Sequence, residues 1–179
     1  LYDAMPFAAS SLKDVEKTGI LLDGVQRNKY CFERCGRAFF DLVTSDIAAA
    51  VKGVGHIVIA MGSWGHEATF RALIPHLEDG QVINIFADNF GCLLLRRLMQ
   101  EMGCAKKVIV GGWSSAPYGT RIESIGKFQF PHVSAKYRAI TLRGAALPMK
   151  DTDDFLEASK YLPCMDAVTR GDGPSKANT

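Results

Sequence analysis

No stretch of the 179 residues comes near the roughly 18 apolar residues needed to cross a bilayer, and the longest candidate, 55–61, is strand-sized. An excess of one charge is also missing. Against 21 Lys and Arg stand 19 Asp and Glu, a net charge of +2 with no basic cluster, which gives nucleic-acid binding no support. Cysteine is sparse and irregular: Cys31, Cys35, Cys92, Cys104 and Cys164 form an odd, scattered set. The spacing of Cys31 and Cys35 is neither a CxxC redox pair nor a usual zinc knuckle, and no histidine lies nearby. They read as reduced thiols of a cytoplasmic protein, and no metal site is expected. The chain opens Leu1-Tyr2-Asp3 without an initiator Met, a basic stretch or a signal-peptide pattern. Finally, Gly-x-Gly-x-x-Gly, the phosphate-binding turn of dinucleotide folds, occurs nowhere.

What remains is ordinary globular protein. Hydrophobic residues make up 47% and charged residues 22%, which excludes a disordered tail, a collagen-like fibre and a coiled coil. The length suits one domain of ordinary size. Residues 164–179 are rich in Gly, Pro, Ser and polar side chains and read as a linker or flexible tail, which leaves 1–163 as the domain. Both ends look cut from something longer.

Along the chain, short apolar runs alternate with helical patterns. Residues 56–61 are nearly continuous apolar, as in a parallel strand covered on both faces. Gly62-Ser63-Trp64-Gly65 breaks that run, and 66–77 places Phe70, Leu73, Ile74 and Leu77 on one helical face. Residues 81–86 are the next strand. The sequence Ala87-Asp88-Asn89 can cap a helix with Phe90, Leu94, Leu95, Leu98 and Met102 as its buried stripe, ended by Gly103. A third strand follows at 107–111. Upstream, 39–43 is a short strand, Thr44-Ser45-Asp46 offers an N-cap, and 47–52 is a short helix. Downstream, 121–130 and 133–142 read as two strands added to the sheet and joined at Pro131-His132, with His132 in an exposed turn. Asp151 to Asp154 cap a last helix ending at Lys160. Repeated β-α units with helical crossovers predict an α/β, Rossmann-like, doubly wound and mostly parallel sheet.

Ligands bind such sheets at the carboxyl ends of the strands. The loops there begin at Asp3, at Met61 and at Ala87, and a fourth follows Gly111. If Leu1-Tyr2-Asp3 ends the second strand of a Rossmann unit, the glycine fingerprint belongs roughly 20 residues earlier, outside this chain. Asp3 would then accept hydrogen bonds from an adenosine ribose. A carboxylate there repels a 2′-phosphate, and Ala4, Met5 and Pro6 supply no arginine to hold one, so NAD is favoured over NADP. The alternative is that Asp3 is a turn residue near a frayed terminus.

These residues also carry a likeness. Leu1-Tyr2-Asp3, the run from Thr44-Ser45-Asp46 to Val51, His56-Ile57-Val58-Ile59-Ala60 and Gly65-His66-Glu67 each resemble the N-terminal domain of the opine dehydrogenases (the octopine/nopaline dehydrogenase family). So do the run from Ile74-Pro75-His76 to Ile83, Asp88-Asn89-Phe90-Gly91, and Ser115-Ala116-Pro117-Tyr118-Gly119-Thr120-Arg121-Ile122. The likeness runs in order from Leu1 to about Pro163; no single motif is diagnostic, and ketopantoate reductases and glycerol-3-phosphate dehydrogenases share the general plan. It implies an NAD(P)-dependent oxidoreductase that transfers hydride to the imine of an amino acid and a 2-oxo acid, those two being its small-molecule partners. It also implies a helical second domain that supplies the catalytic histidine. This chain lacks both that domain and the first β-α unit, so no catalytic residue is expected within it and the chain alone should be inactive. A 2-hydroxy acid dehydrogenase of similar build and a non-catalytic dinucleotide-binding regulatory module are the rival readings.

Within that frame, Met61, Gly62 and Ser63 would lie against the nicotinamide-side ribose and pyrophosphate, where glycine permits close approach; an ordinary strand-to-helix turn is the alternative. Asn89 resembles the asparagine of the reductases' turn and would touch the nicotinamide ribose or a substrate carbonyl, or else serve as a helix N-cap. His66 either meets substrate or cofactor at a helix start or caps the helix. Arg121, near Ser115, either clamps a substrate carboxylate or pairs with Glu123 or Asp88 on the surface. Neither a nucleic acid nor a membrane is expected as partner, and a homodimer is a candidate, driven by burial of sheet faces that truncation leaves exposed.

Overall fold

The structure, a computed structural model, describes residues 1–6, 8, 12–23, 36–122, 132–139, 142–160 and 162. Cys31, Cys35, Cys164, Glu123, Pro131 and the expected tail at 164–179 lie outside the described residues. In chain order the elements are α1 (Val15–Thr18), β1 (Ile20–Asp23), β2 (Gly36–Ala38), α2 (Ile47–Val51), β3 (His56–Ile59), α3 (His66–Leu73) and β4 (Val82–Phe86). There follow α4 (Gly91–Glu101), β5 (Ile109–Trp113), β6 (Tyr118–Ile122), β7 (His132–Arg138), β8 (Gly144–Ala146) and α5 (Thr152–Ser159). The chain divides into two compact units, Leu1–Ala50 with Tyr118–Arg138, and Val51–Pro117 with Ala139–Thr179.

The second unit holds the expected α/β alternation. Its sheet has the order β3-β4-β5-β8. β3, β4 and β5 are parallel, with Ile57 opposite Ile83 and Ile83 opposite Val110, and β8 runs antiparallel to β5. Parallel strands need a crossover, and α3 and α4 provide the two here. β4 is buried at all five positions, as a strand covered on both faces should be. β3 departs from the expectation for 56–61. It alternates, with Ile57 and Ile59 buried while Val58 is 49% exposed, because β3 is the edge of this sheet among the described residues.

On one face of the sheet, Phe70, Leu73, Ile74 and Leu77 are all buried, as their spacing predicted. Each such burial is worth about 1.5–3 kcal/mol. That packing, not propensity, must hold α3, since its eight residues are fewer than an isolated helix needs. In α4 the expected stripe is half right. Leu95 and Leu98 are buried, but Phe90 is 80% exposed and Met102 39% exposed, and Cys92 and Met99 complete the buried face. The helix starts only at Gly91; Phe90 precedes it with φ of 65°, off the helical periodicity. Gly103 ends the helix in left-handed conformation, as expected.

On the other face, α5 packs against β4, β5 and β8 through Phe155. Phe155 tilts against Trp113 at 5.1 Å between ring centres, and Trp113 stacks on Phe86 at 6.0 Å. Gly111 of β5 lies under the Phe155 ring, where a Cβ would collide with it. Asn84, fully buried in β4, accepts hydrogen bonds from Trp113 Nε1 and Ser159 Oγ, both at 3.0 Å. Asp153 and Asp154 stand in the first turn of α5, where the helix dipole favours them.

The first unit corrects three expectations. Its sheet has the order β2-β1-β7-β6, so β6 and β7 pair with each other but belong here and not to the β3-β4-β5 sheet. His132, expected in an exposed turn, opens β7 opposite Leu21 and is half-buried. Residues 39–43 form no strand. Thr44 alone makes a parallel bridge, to Tyr2, while Phe39 is 66% exposed. The N-cap reading holds: Asp46 Oδ1 accepts from Ala48 N at 2.9 Å and Ala49 N at 3.4 Å. Among the described residues no helix is long and apolar enough to cross a membrane.

Candidate functional site

In the second unit the chain turns three times at the carboxyl ends of the parallel strands. After β3, Met61 is half-buried and its Sδ accepts from Thr69 Oγ1 at 3.3 Å. Gly62 is exposed and a Cβ on it would strike the Trp64 indole; Ser63 and Trp64 face solvent, Trp64 at 81%. The residues 63–65 then make a single tight turn into α3, closed by Gly65 N donating to Gly62 O at 2.9 Å.

After β4 the backbone is strained. Ala87, Asn89 and Phe90 all have positive φ, at 56°, 42° and 65°. Asparagine tolerates that region, whereas alanine and phenylalanine rarely enter it, and each such residue costs on the order of 1–3 kcal/mol. Asp88 holds this turn in place. Its N–H donates to Trp113 O at 3.0 Å, its carbonyl accepts from Gly91 N at 2.6 Å, and its Oδ1 accepts from Cys92 N at 2.8 Å. The carboxylate capping the start of α4 is therefore that of Asp88. Asn89, for which capping was the alternative reading, is exposed.

After β5, Ser114 N donates to Arg143 O at 2.8 Å and Ser114 Oγ accepts from Arg143 N at 3.2 Å, which ties this turn to the lead-in of β8. Between the turns after β4 and β5 and the strand β8 lies a cavity of about 530 Å³, a size ordinary for a ligand cleft. Asp88, Asn89, Ser114 and Arg143 give it a polar rim, and Phe90 and Trp113 are among its apolar lining. An amide, a hydroxyl, a guanidinium and a carboxylate on one rim can together orient a polar ligand bearing carbonyl or carboxylate groups.

Two titratable groups under the rim stay uncharged. Burial, the larger effect, holds the His66 imidazole below its ordinary value, against the opposing influence of Asp88 and of a hydrogen bond to the Met61 backbone. Burial, then the hydrogen bond to Asp88, pushes the Cys92 thiol up, so it is no nucleophile at neutral pH. Among the described residues no group of three or more metal-ligating side chains comes together.

Of the residues singled out in the sequence, Asn89 lines the cavity, while Met61, Gly62 and Ser63 form the neighbouring turn and Ser115 is exposed outside the lining. His66 is not at the surface at all but 1% exposed. Asp3 belongs to the first unit. There its Oδ1 accepts from Ala4 N at 2.9 Å and its N–H donates to Thr44 O at 3.4 Å, beside the Tyr2–Thr44 parallel bridge. Arg121, also in that unit, is exposed and donates to its neighbour's carbonyl at Thr120 O, 2.8 Å away. Arg143 and the wall formed by Ala145, Ala146 and Leu147 are not among the candidates named from the sequence. The available signal was Gly144, whose missing Cβ lets β8 lie on the Trp113 ring.

No family model matches the sequence, and no curated protein does. Solved structures do. Octopine dehydrogenase with NADH and L-arginine superposes at a TM-score of 0.63 with 19% identity, over 88% of this chain and 38% of that one. Yersinopine dehydrogenase gives 0.59 and 17% identity, over 82% of this chain and 34% of that one. A PanE/ApbA family ketopantoate reductase from Ralstonia eutropha JMP134 gives 0.55 and 16% identity, over 84% of this chain and 43% of that one. The fold is thus opine dehydrogenase-like and Rossmann-like, with the N-terminal domain covered, and the chain spans less than half the length of each of these proteins.

Proposed function

We propose that this chain is the nucleotide-binding part of an NAD(P)-dependent dehydrogenase of opine dehydrogenase type, working on the imine of an amino acid and a 2-oxo acid. The observation that carries the reading is the strained turn after β4, which presents the Asn89 amide at the rim of a cavity at the carboxyl edge of a parallel sheet. The likeness to octopine dehydrogenase, a protein solved with NADH and with L-arginine or pyruvate, supports the same reading.

In this proposal Asn89 hydrogen-bonds the nicotinamide half, Met61, Gly62 and Ser63 lay backbone against it, and Asp3 accepts from the adenosine ribose. The carboxylate of Asp3 favours NAD, although yersinopine dehydrogenase is known with NADP+ bound. His66, Ser115 and Arg121 are the candidates for substrate; Ser115 and Arg121 are exposed, whereas His66 is 1% exposed and would meet substrate only after a shift of its surroundings. The cofactor supplies the hydride, and this chain's residues supply its position. No residue of the chain is assigned a proton-transfer role. We assign residues 1–163 to this nucleotide-binding part, 164–179 to a linker or flexible tail, and the protein to the cytoplasm.

The test is NADH oxidation by the natural protein with pyruvate alone and then with pyruvate plus a panel of amino acids. Dependence on the amine supports the opine reading. Turnover of a 2-oxo acid without amine favours the second reading, a ketopantoate reductase-like enzyme, for which the PanE/ApbA likeness speaks. Dinucleotide binding without turnover points to a regulatory module. Asn89→Gly keeps the left-handed backbone while deleting the amide, and should weaken NADH binding about tenfold, the worth of one lost hydrogen bond at about 1.4 kcal/mol.

A further inference from the structure

One buried imidazole touches both of the turns assigned above to the cofactor. His66, 1% exposed, shares a hydrogen bond with the backbone of Met61 and stacks on Phe70 at 5.1 Å. On its other side lies the first residue of α4: a Cβ built on Gly91 would come within 3.1 Å of His66 Nδ1 and 3.2 Å of Cε1. A side chain at position 91 would therefore press on the ring. Nε2 is buried and has no hydrogen-bond partner, a costly arrangement that a phenylalanine in the same space would avoid.

We propose that His66 is a positioning residue: neutral, it holds the 61–65 turn and the 88–91 turn in register with each other, and its protonation releases both at once. The consequence for cofactor binding rests on the functional reading above, whereas the mechanical coupling does not. A protonated ring carries an N–H at Nε2 with no acceptor in place. To find one it must reach water or the Asp88 carboxylate, and either requires the 88–91 turn to shift. That turn is the element suited to yield, since its left-handed residues already hold it in costly backbone geometry.

The sign follows from the surroundings. Asp88, at the head of α4, is the charged group acting on the ring; Phe70 of α3 and Gly91 of α4 carry no charge, and Glu67, next on α3, is exposed and paired with Arg71 at 2.9 Å. Burial outweighs Asp88 and the Met61 bond, so the folded protein prefers the neutral ring. As pH falls below the ordinary value of 6.5 the unfolded chain takes up the proton more readily, and the folded register loses stability until the folded-state value is passed.

Backbone amide NMR of the 179-residue chain, from about pH 8 to about pH 5, tests this. The amides of Gly62, Gly65, Asn89 and Gly91 should move with one shared midpoint below 6.5. His66→Asn, which keeps a side-chain donor for the Met61 backbone but does not titrate in this range, should lose the transition. Gly91→Ala, which presses on the ring from the other turn, should shift Gly62 and Gly65. Separate midpoints, a transition that survives in His66→Asn, or 61–65 amides unmoved by Gly91→Ala would each overturn the coupling. NADH affinity should fall on acidification by up to about tenfold per pH unit, the limit for one linked proton, and stay flat in His66→Asn. Absence of NADH binding at every pH counts against the functional reading, and the amide shifts then decide the coupling alone.

Discussion

Ala87, Asn89 and Phe90 share a positive φ, but only asparagine belongs to a residue type that enters this region readily. Ala87 is the simplest place to measure what the turn costs. Ala87→Gly removes the Cβ that makes left-handed backbone unfavourable, and the gain should exceed the entropy that glycine adds to the unfolded chain. A stabilisation of about 0.5–1 kcal/mol in urea unfolding is expected; destabilisation would mean the turn is not strained. Cys92 offers a second measurement at this scale. Buried, and with its thiol held protonated by burial and Asp88, it should escape alkylation in the folded protein at about pH 8.5, where an ordinary thiol reacts, and be modified only on unfolding. Rapid alkylation of native Cys92 would contradict the closed packing under the rim.

Among the elements, β5 is the most demanding, because it is pressed from both sides. Gly111 meets the Phe155 ring and Gly112, which points to the opposite face, meets the Asp88 side chain. Gly111→Ala should cost about 1–3 kcal/mol by overpacking, and Phe155→Leu in the same chain should recover part of that loss; strict additivity of the two changes in denaturant unfolding would refute the contact. What was legible beforehand has the same logic. β4 and the Phe70–Leu77 face follow from local periodicity, and the structure has both. The cap at Asp46 and the stop at Gly103 are equally local. The placement of β6 and β7 in a sheet with β1 was not legible, because β1 and β7 lie more than a hundred residues apart and no short-range pattern encodes their pairing. For the candidate site, Asn89 was readable as a loop residue at a strand end. Arg143 was not, since it reaches the rim only because β8 returns antiparallel beside β5.

At the scale of the whole chain, the sequence has no glycine-rich phosphate turn, and the fold matches less than half the length of its structural neighbours. On the proposed reading, the 179-residue chain is expected to bind NADH weakly and turn over nothing by itself; hydride transfer by it alone would refute that division of labour. The same fold makes a physical prediction about association. Among the described residues β3 has a neighbour on one side only, and its outward position Val58 is 49% exposed with no Lys, Asp or Glu anywhere in the strand. An apolar edge strand is a template for another strand, and charge on the edge is the usual protection. Sedimentation velocity on the 179-residue chain should therefore show self-association that grows with concentration. Val58→Lys should return it to monomer, because the ammonium would have to be desolvated in any edge-to-edge contact. Since the side chain points to solvent, that substitution should leave unfolding free energy within about 0.5 kcal/mol of the parent, as surface changes usually do. A parent chain that stays monomeric at every concentration would mean that β3 is covered, and that the sheet has a neighbour on that side which the strand order β3-β4-β5-β8 does not include.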